Sequence, residues 1–293
     1  MKIRIAAITD VGKERENNED ALIVCPSIAS QDWQQQQTDS YSTIGNLGSL
    51  LIVADGMGGA NAGEVASSLA INTIKDAFTV ENATEALKSD EQLDQLLQNA
   101  IRHADEAIDD RIFQDPDTGG MGTTIVVCWI VNGKAHIAWC GDSRCYVYHP
   151  QRGLKRLTKD HSLVQEMVDK GEITEKEAFT HPDSNIITRG LGDFDARPTA
   201  DIAHYDLQSS DTLMLCSDGL CGYCTDKDIE KTFDNHCTDV TVLRDELLRQ
   251  ALEAGGYDNI CIALASVIGD EEEQPEEKKQ PGLKSFFKRF FGE

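Results

Sequence analysis

The chain reads as an α+β fold, with antiparallel sheets packed on one another and helices on the outside, in one domain. Three observations predict this. Apolar strand-like runs and helical stretches are interleaved, without the strict βαβα alternation of a doubly wound parallel sheet. The runs 123–131 and 134–140 are separated by Asn132-Gly133, a dipeptide favoured in two-residue hairpin turns. Residues 90–112 place Leu93, Leu96, Leu97, Ala100 and Ile101 at helical spacing, so one face of that helix seeks a core. At 293 residues, 40% of them hydrophobic, the chain is long enough to bury a substantial core.

Taken in order, residues 3–8 and 21–24 read as strands. Residues 31–48 are polar, low in complexity and without periodicity, so they read as a loop. Residues 50–54 (LLIVA) form a short apolar run followed by turn residues, as a buried strand does. Helices follow near 63–78 and 90–112. Beyond the hairpin, 144–149 (RCYVYH) and 154–158 (LKRLT) extend the meander, and 162–178 is a charged helical segment. A strand at 212–216, a helix near 239–254 and a strand at 259–267 complete a folded unit spanning 1–268. No internal repeat is visible. Residues 269–282 are charged, Pro-containing and free of large apolar side chains, a solvated linker. In 283–293, Leu283, Phe286, Phe287, Phe290 and Phe291 share one helical face, with Lys284, Lys288 and Arg289 on the other side. This short basic amphipathic tail predicts docking to a membrane surface or a partner groove, with docking on its own domain, or disorder when free, as the alternative.

The net charge of −24 disfavours nucleic acid and anionic membrane as partners of the main body. Phosphate ligands stay open, because bound divalent cations invert a local field. The nine cysteines are scattered, no secretory signal is visible, and no stretch reaches the roughly 18 to 20 apolar residues of a membrane span. Free thiols and a cytoplasmic location are expected, peripheral at the inner membrane if the tail docks there. The C-x-x-C at Cys221 and Cys224 lacks the second close pair that a structural zinc site wants.

Chemistry concentrates at five places. Asp55-Gly56 and Asp218-Gly219 each follow a buried strand, and Asp258 directly precedes the last one. Carboxylates at strand ends are held rigidly at a sheet rim, and glycine lets the backbone turn and its carbonyl approach a ligand. Three such carboxylates brought together repel unless one is protonated or hard cations such as Mg²⁺ or Mn²⁺ neutralise them. Arg15, Glu19 and Asp20 form a charged cluster before a strand; Arg15 offers a bidentate grip on phosphate. Asp142 lies between two strands of the meander. Singly, each of these reads as an ordinary turn. The glycines from Gly56 onward do not complete a dinucleotide loop, since Asn61 holds the third glycine position; no P-loop and no G-x-S-x-G elbow exists.

The ordered set R-x-x-N-E-D (from Arg15), A-D-G-M-G-G (from Ala54), G-D-S-R (from Gly141), S-D-G-L (from Ser217) and D-N-I (from Asp258) resembles the metal-dependent serine/threonine protein phosphatases (PPM, type 2C), the bacterial branch most closely. Met121-Gly122-Thr123-Thr124, Leu157 to Ser162 and Thr188 to Gly192 are also family-like, and the likeness covers about residues 3–267. The resemblance implies two stacked antiparallel β-sheets flanked by α-helices, with a site for two Mn²⁺ or Mg²⁺ ions at one end. It implies that Asp55 bridges both ions, that the Gly56 carbonyl binds one of them, and that Asp218 and Asp258 bind the other. Asp20 and Glu19 would act through water. Asp142 with Asp218 would hold a third, weaker ion, and Arg15 would bind the substrate phosphate. A flap at about 163–187 would influence substrate choice. The implied reaction is hydrolysis of phosphoserine and phosphothreonine by a water bridging two ions, in signalling opposite a serine/threonine kinase, with phosphorylated proteins as partners.

Some family members carry a histidine where Met57 stands, thought to protonate the leaving group; methionine cannot do so. His161 is a candidate by sequence, with a turn-bracing role as its alternative. Three other classes are weighed. A catalytically silent phosphopeptide-binding module would usually have lost a metal position, and all are present. A nucleotide or phosphodiester hydrolase would mix histidine with carboxylate, and the seven histidines form no evident cluster. A Ca²⁺-binding scaffold lacks the EF-hand pattern.

Overall fold

Leu50, Leu51, Ile52, Val53 and Ala54 are all fully buried, because their strand is covered on both faces. In the computed structural model, which describes residues 1–268 apart from 36, 59–61 and 195–196, the elements run as follows. They are β1 (Lys2–Asp10), β2 (Asp20–Cys25), β3 (Gln34–Gln35), β4 (Thr38–Thr43), β5 (Ser49–Met57), α1 (Ala62–Ala77), α2 (Val80–Ala86), α3 (Asp90–Gln114), β6 (Gly122–Thr123), β7 (Ile125–Val131), β8 (Lys134–Cys140), β9 (Arg144–His149), β10 (Gly153–Arg156), α4 (Leu163–Asp169), α5 (Glu175–Phe179), β11 (Leu191–Gly192), β12 (Asp201–Asp206), β13 (Thr212–Cys216), α6 (Asp218–Cys221), α7 (Asp226–His236), α8 (Val240–Glu253) and β14 (Ile260–Ile268). The linker at 269–282 and the tail helix at 283–293 lie outside the described residues.

Two antiparallel sheets face each other, as expected. One has the order β10-β9-β13-β14-β1-β4. In the other, β2, β5, β7, β8 and β12 are successive neighbours; β3 extends β2, and β6 and β11 form a short ribbon off the end of β5. The period of two along each strand assigns the layers. Leu51 and Val53 join Ile3, Ile5, Val126, Val147 and Leu215 between the sheets. Leu50, Ile52 and Ala54 turn the other way, onto α1 and α3. On the outer face of the first sheet, Tyr146, Met214 and Ile262 pack on Phe233, Leu243 and Leu247 of α7 and α8. The result is an α-β-β-α sandwich.

Local chemistry explains the elements that carry it. Ser89 caps α3 by accepting from the Gln92 N–H (3.2 Å), and Leu93, Leu97, Ala100, Ile101 and Ala104 form its buried stripe. Asn132 and Gly133 both adopt positive φ (51° and 77°), the signature of a type I′ turn between β7 and β8.

Four expectations need correction. The loop at 31–48 contains β3 and β4, and β4 pairs with β1 from Lys2↔Thr43 to Ala7↔Thr38. It is an edge strand whose side chains are mostly solvated, so a polar sequence carries no apolar signal. The edge strand β12 is a further addition: its apolar residues Ile202, Ala203 and Tyr205 are only partly buried and adjacent or alternating over too short a run to signal a strand. The helices α2 and α7 were not foreseen; each buries two hydrophobic side chains, too few for a periodic pattern. The helical segment 162–178 is two short helices, separated where Gly171 takes φ +72°.

Candidate metal centre

Strand register brings the acidic residues to one end of the sandwich. In β2 and β5, Asp20 lies directly opposite Asp55. In the other sheet, Cys216 of β13 is flanked by Arg144 of β9 and Ile262 of β14. Because these strands are antiparallel, the chain just before Arg144, just after Cys216 and just before β14 emerges at the same end. Those stretches carry Asp142, Asp218 and Asp258. Ser217 ties the two sheets together there: its hydroxyl donates to Asp20 Oδ2 (2.6 Å) and accepts from the Cys261 N–H (2.9 Å).

The glycines act differently from the turn role expected of them. Asp55, Gly56 and Met57 continue β5, and neither Gly56 nor Gly219 has a positive φ. A Cβ on Gly56 would strike the Gly63 carbonyl and lie 2.7 Å from the Glu19 carbonyl oxygen; one on Gly219 would overlap the Asn259 carbonyl. Each glycine is needed for close backbone approach. Asp218, rather than ending in a turn, opens the short helix α6 behind Ser217.

Burial in this cluster opposes ionisation. Burial, then the charges of Asp218 and Asp258, pushes Asp20 well above the usual carboxylate range, against the lowering effect of the Ser217 hydroxyl. Burial and the charges of Asp20, Asp218 and Asp142 do the same to Asp55. Asp142 is raised by burial and by Asp218, and Asp218 by burial and by Asp258. The buried atoms Asp20 Oδ1 and Asp142 Oδ1 have no hydrogen-bond partner. An all-oxygen set, mutually repelling and with orphaned acceptors, fits hard divalent cations.

Arg15 stands at the rim, its side chain 48% exposed, with Nη2 donating to Asp258 Oδ2 (2.8 Å). Glu19 lies beside Arg15, Asp258 and Glu64, and burial raises its pKa ahead of those charges. The residues that hold this loop lie in the quoted motifs, which assign them no role. Asn259 Oδ1 accepts from the Glu19 N–H (2.7 Å), and its Nδ2 donates to the carbonyls of Val11 (3.0 Å) and Asn17 (2.9 Å). The Thr124 hydroxyl accepts from the Asp55 N–H (3.1 Å) and pairs with Ser143 (2.7 Å). Their signal was available: Ser217, Asn259 and Thr124 are polar residues immediately beside apolar strand runs.

His161 is buried and engaged at both ring nitrogens. Nδ1 accepts from the Gly141 N–H (3.0 Å), so Nε2 carries the proton and faces Asp201 Oδ2 (3.3 Å). The ring stacks on Trp139 (8° between planes). It braces the loop carrying Asp142, the alternative role that the sequence left open. Arg144 grips Asp160 through Nε and Nη2, fixing the same stretch of chain. The segment expected to act as a flap carries α4 and α5 and closes at its base, where Leu163 N–H donates to the Ile186 carbonyl (2.9 Å) and Thr188 N–H to that of His161 (2.8 Å).

All nine cysteines are free thiols. Among the described residues no helix is long and apolar enough to cross a membrane. The expectation that the histidines form no cluster is corrected: His136 and His204 are register partners on β8 and β12, beside Asp94 of α3.

The profile of the family Protein phosphatase 2C matches residues 9–260. The serine/threonine phosphatase Stp of Listeria monocytogenes is 37% identical over 215 residues, 73% of this chain and 83% of that protein. The crystal structure of the serine/threonine phosphatase Stp1 from Staphylococcus aureus superposes with a TM-score of 0.77 at 34% identity, covering 90% of this chain and 95% of that one. The catalytic domain of the serine/threonine protein phosphatase PstP, in complex with two manganese ions, gives 0.72 at 29% identity, covering 92% and 99%.

Proposed function

Because the chain belongs to the protein phosphatase 2C family, we infer how its own residues serve the family's reaction. It is a Mn²⁺/Mg²⁺-dependent serine/threonine protein phosphatase, a phosphoric monoester hydrolase whose substrates are phosphorylated proteins. The observation that carries the reading is the convergence of five aspartates from both sheets on one end of the sandwich, two of them with a buried, unpartnered oxygen.

Asp55, the Gly56 carbonyl, Asp218 and Asp258 would hold two ions, with Asp20 and Glu19 acting through water and Asp142 with Asp218 holding a third. When bound, the ions lower the pKa of a water nucleophile and neutralise phosphoryl charge. The residues do the rest. Ser217 and Asn259 fix Asp20 and the Glu19 loop, so the carboxylates are in place before substrate arrives. Arg15 is half exposed and uses Nη2 on Asp258, which leaves its other donors for the phosphate oxygens. The proton for the leaving alkoxide would come from a metal-bound water or another group, since Met57 has none to give and both ring nitrogens of His161 are committed.

Hydrolysis of a phosphothreonine peptide by the full chain tests this reading. Activity should require Mn²⁺, vanish in chelator and be lost in Asp218→Asn. Folded protein inactive over a panel of peptides and metals would overturn it in favour of a silent phosphopeptide-binding module.

The finer reading is bacterial and cytoplasmic, opposing a serine/threonine kinase that is itself among the phosphorylated partners. The tail at 283–293 would dock to the inner-membrane surface or to a partner protein. Deleting 283–293 should alter fractionation or partner pull-down and leave small-substrate turnover intact; unchanged fractionation and pull-down would sink that role.

A further inference from the structure

Apart from the aspartates, a second cluster is assembled by α3, β8 and β12. His136 lies on the face of β8 that also carries Ala138 and Cys140, toward the α1–α3 layer. His204 is its partner across β8 and β12, and the two rings meet edge-on with centroids 5.0 Å apart. Asp94 reaches both from the second turn of α3. Its Oδ1 lies 2.7 Å from His204 Nε2 and 3.9 Å from His136 Nδ1. Among the described residues, these three form the one group of three or more whose possible ligand atoms all lie within 4.8 Å of one another.

His136 makes this more than a surface ion pair. It is 1% exposed, and its Nδ1 has no hydrogen-bond partner. A buried imidazole nitrogen without a partner is costly and calls for an explanation. Asp94 and His204 keep the cluster open to solvent, with side chains 27% and 43% exposed. An ion can therefore enter from that side and keep water in a further position.

We propose that Asp94, His136 and His204 form a second, non-catalytic metal site, selective for Zn²⁺. Two imidazoles and one carboxylate match the donor set of zinc, whereas Mn²⁺ and Mg²⁺ prefer oxygen. Burial, then the neighbouring His204, lowers the His136 pKa and keeps its lone pair available near neutral pH. A bound ion would tie α3 to β12, an edge strand whose one strand neighbour is β8, and stabilise the fold by mass action.

The test is zinc binding by the full chain dialysed in excess Mn²⁺, which occupies the carboxylate site. One Zn²⁺ per chain should be retained. In His204→Ala and in Asp94→Asn the zinc affinity should fall by more than about 10-fold, the loss that even outer-sphere changes cause. Mn²⁺-dependent phosphatase activity of both variants should stay at the wild-type level. Co²⁺ provides an independent readout: a tetrahedral visible spectrum should be present in wild type and in Asp218→Asn and absent in His204→Ala. Zinc retention equal in wild type and His204→Ala, or no zinc retained in excess Mn²⁺, would overturn the proposal.

Discussion

Two clusters of ligand-type side chains stand on this fold, and they differ in how they are built. The aspartates are all oxygen, contributed by chain segments that leave both sheets at one end. The Asp94–His136–His204 group is nitrogen-rich, drawn within 4.8 Å, and set between a sheet and the helix layer. In the first, burial forces like charges together, so the protein without ions holds a repulsive core. In the second, Asp94 already bonds His204 at 2.7 Å, and the polar atom left over is the buried His136 Nδ1. The first is therefore expected to trade stability for function, and the second to add stability when loaded.

The sharpest way to break this contrast is Asp218→Asn. It should lower kcat/KM by more than about 100-fold, the upper range for disturbing even a ligand's support. The same change should raise the melting temperature in chelator, because one charge leaves the cluster; a fall there would mean that the repulsion is not real. Arg15→Ala should cost roughly 10- to 100-fold in kcat/KM, near the lower end for losing one charge-stabilising donor, since the group is half exposed. Arg15→Lys should recover only part, as lysine keeps the charge and loses the fork.

Acidity gives a third test. Asp20, Asp55, Asp142 and Asp218 are all raised above the ordinary 3.8. The folded protein then holds protons that the unfolded chain has released. Their stabilising effect is complete below about pH 4 and is lost as pH rises through the raised values. Melting temperature in chelator should decline over that rise, and Mn²⁺, replacing the protons, should cancel the decline. Equal slopes with and without Mn²⁺ would contradict the assignment. The smallest effect is expected for Ser217→Ala, which leaves Asp20 Oδ2 and the Cys261 N–H unpartnered; stability should drop by about 1–3 kcal/mol, measured by denaturant unfolding.

The contrast also explains what could be read from the chain. Asp55, Asp142, Asp218 and Asp258 announce themselves because each adjoins a buried apolar strand, and the ends of such strands are where a rigid carboxylate is useful. The layers follow from the same runs, since Leu50 to Ala54 are apolar on both faces. What stayed hidden was tertiary. β4 and β12 are edge strands with weak apolar signals, paired because β1 and β8 offer them a ladder. The role of Gly56 lies in the approach of Gly63 and Glu19, which no local pattern encodes. His136 and His204 become neighbours only through strand register, and Asp94 joins them from a helix far away in the chain.

The most direct test of the central claim is anomalous scattering from crystals of the full chain grown with Mn²⁺. Two manganese peaks should lie among Asp55, Gly56, Asp218 and Asp258, with Asp20 beyond them. Any third, weaker peak should lie beside Asp142, and none at Asp94, His136 and His204. Manganese absent from the aspartate cluster in crystals of active enzyme, or bound instead at the histidine pair, would contradict the account.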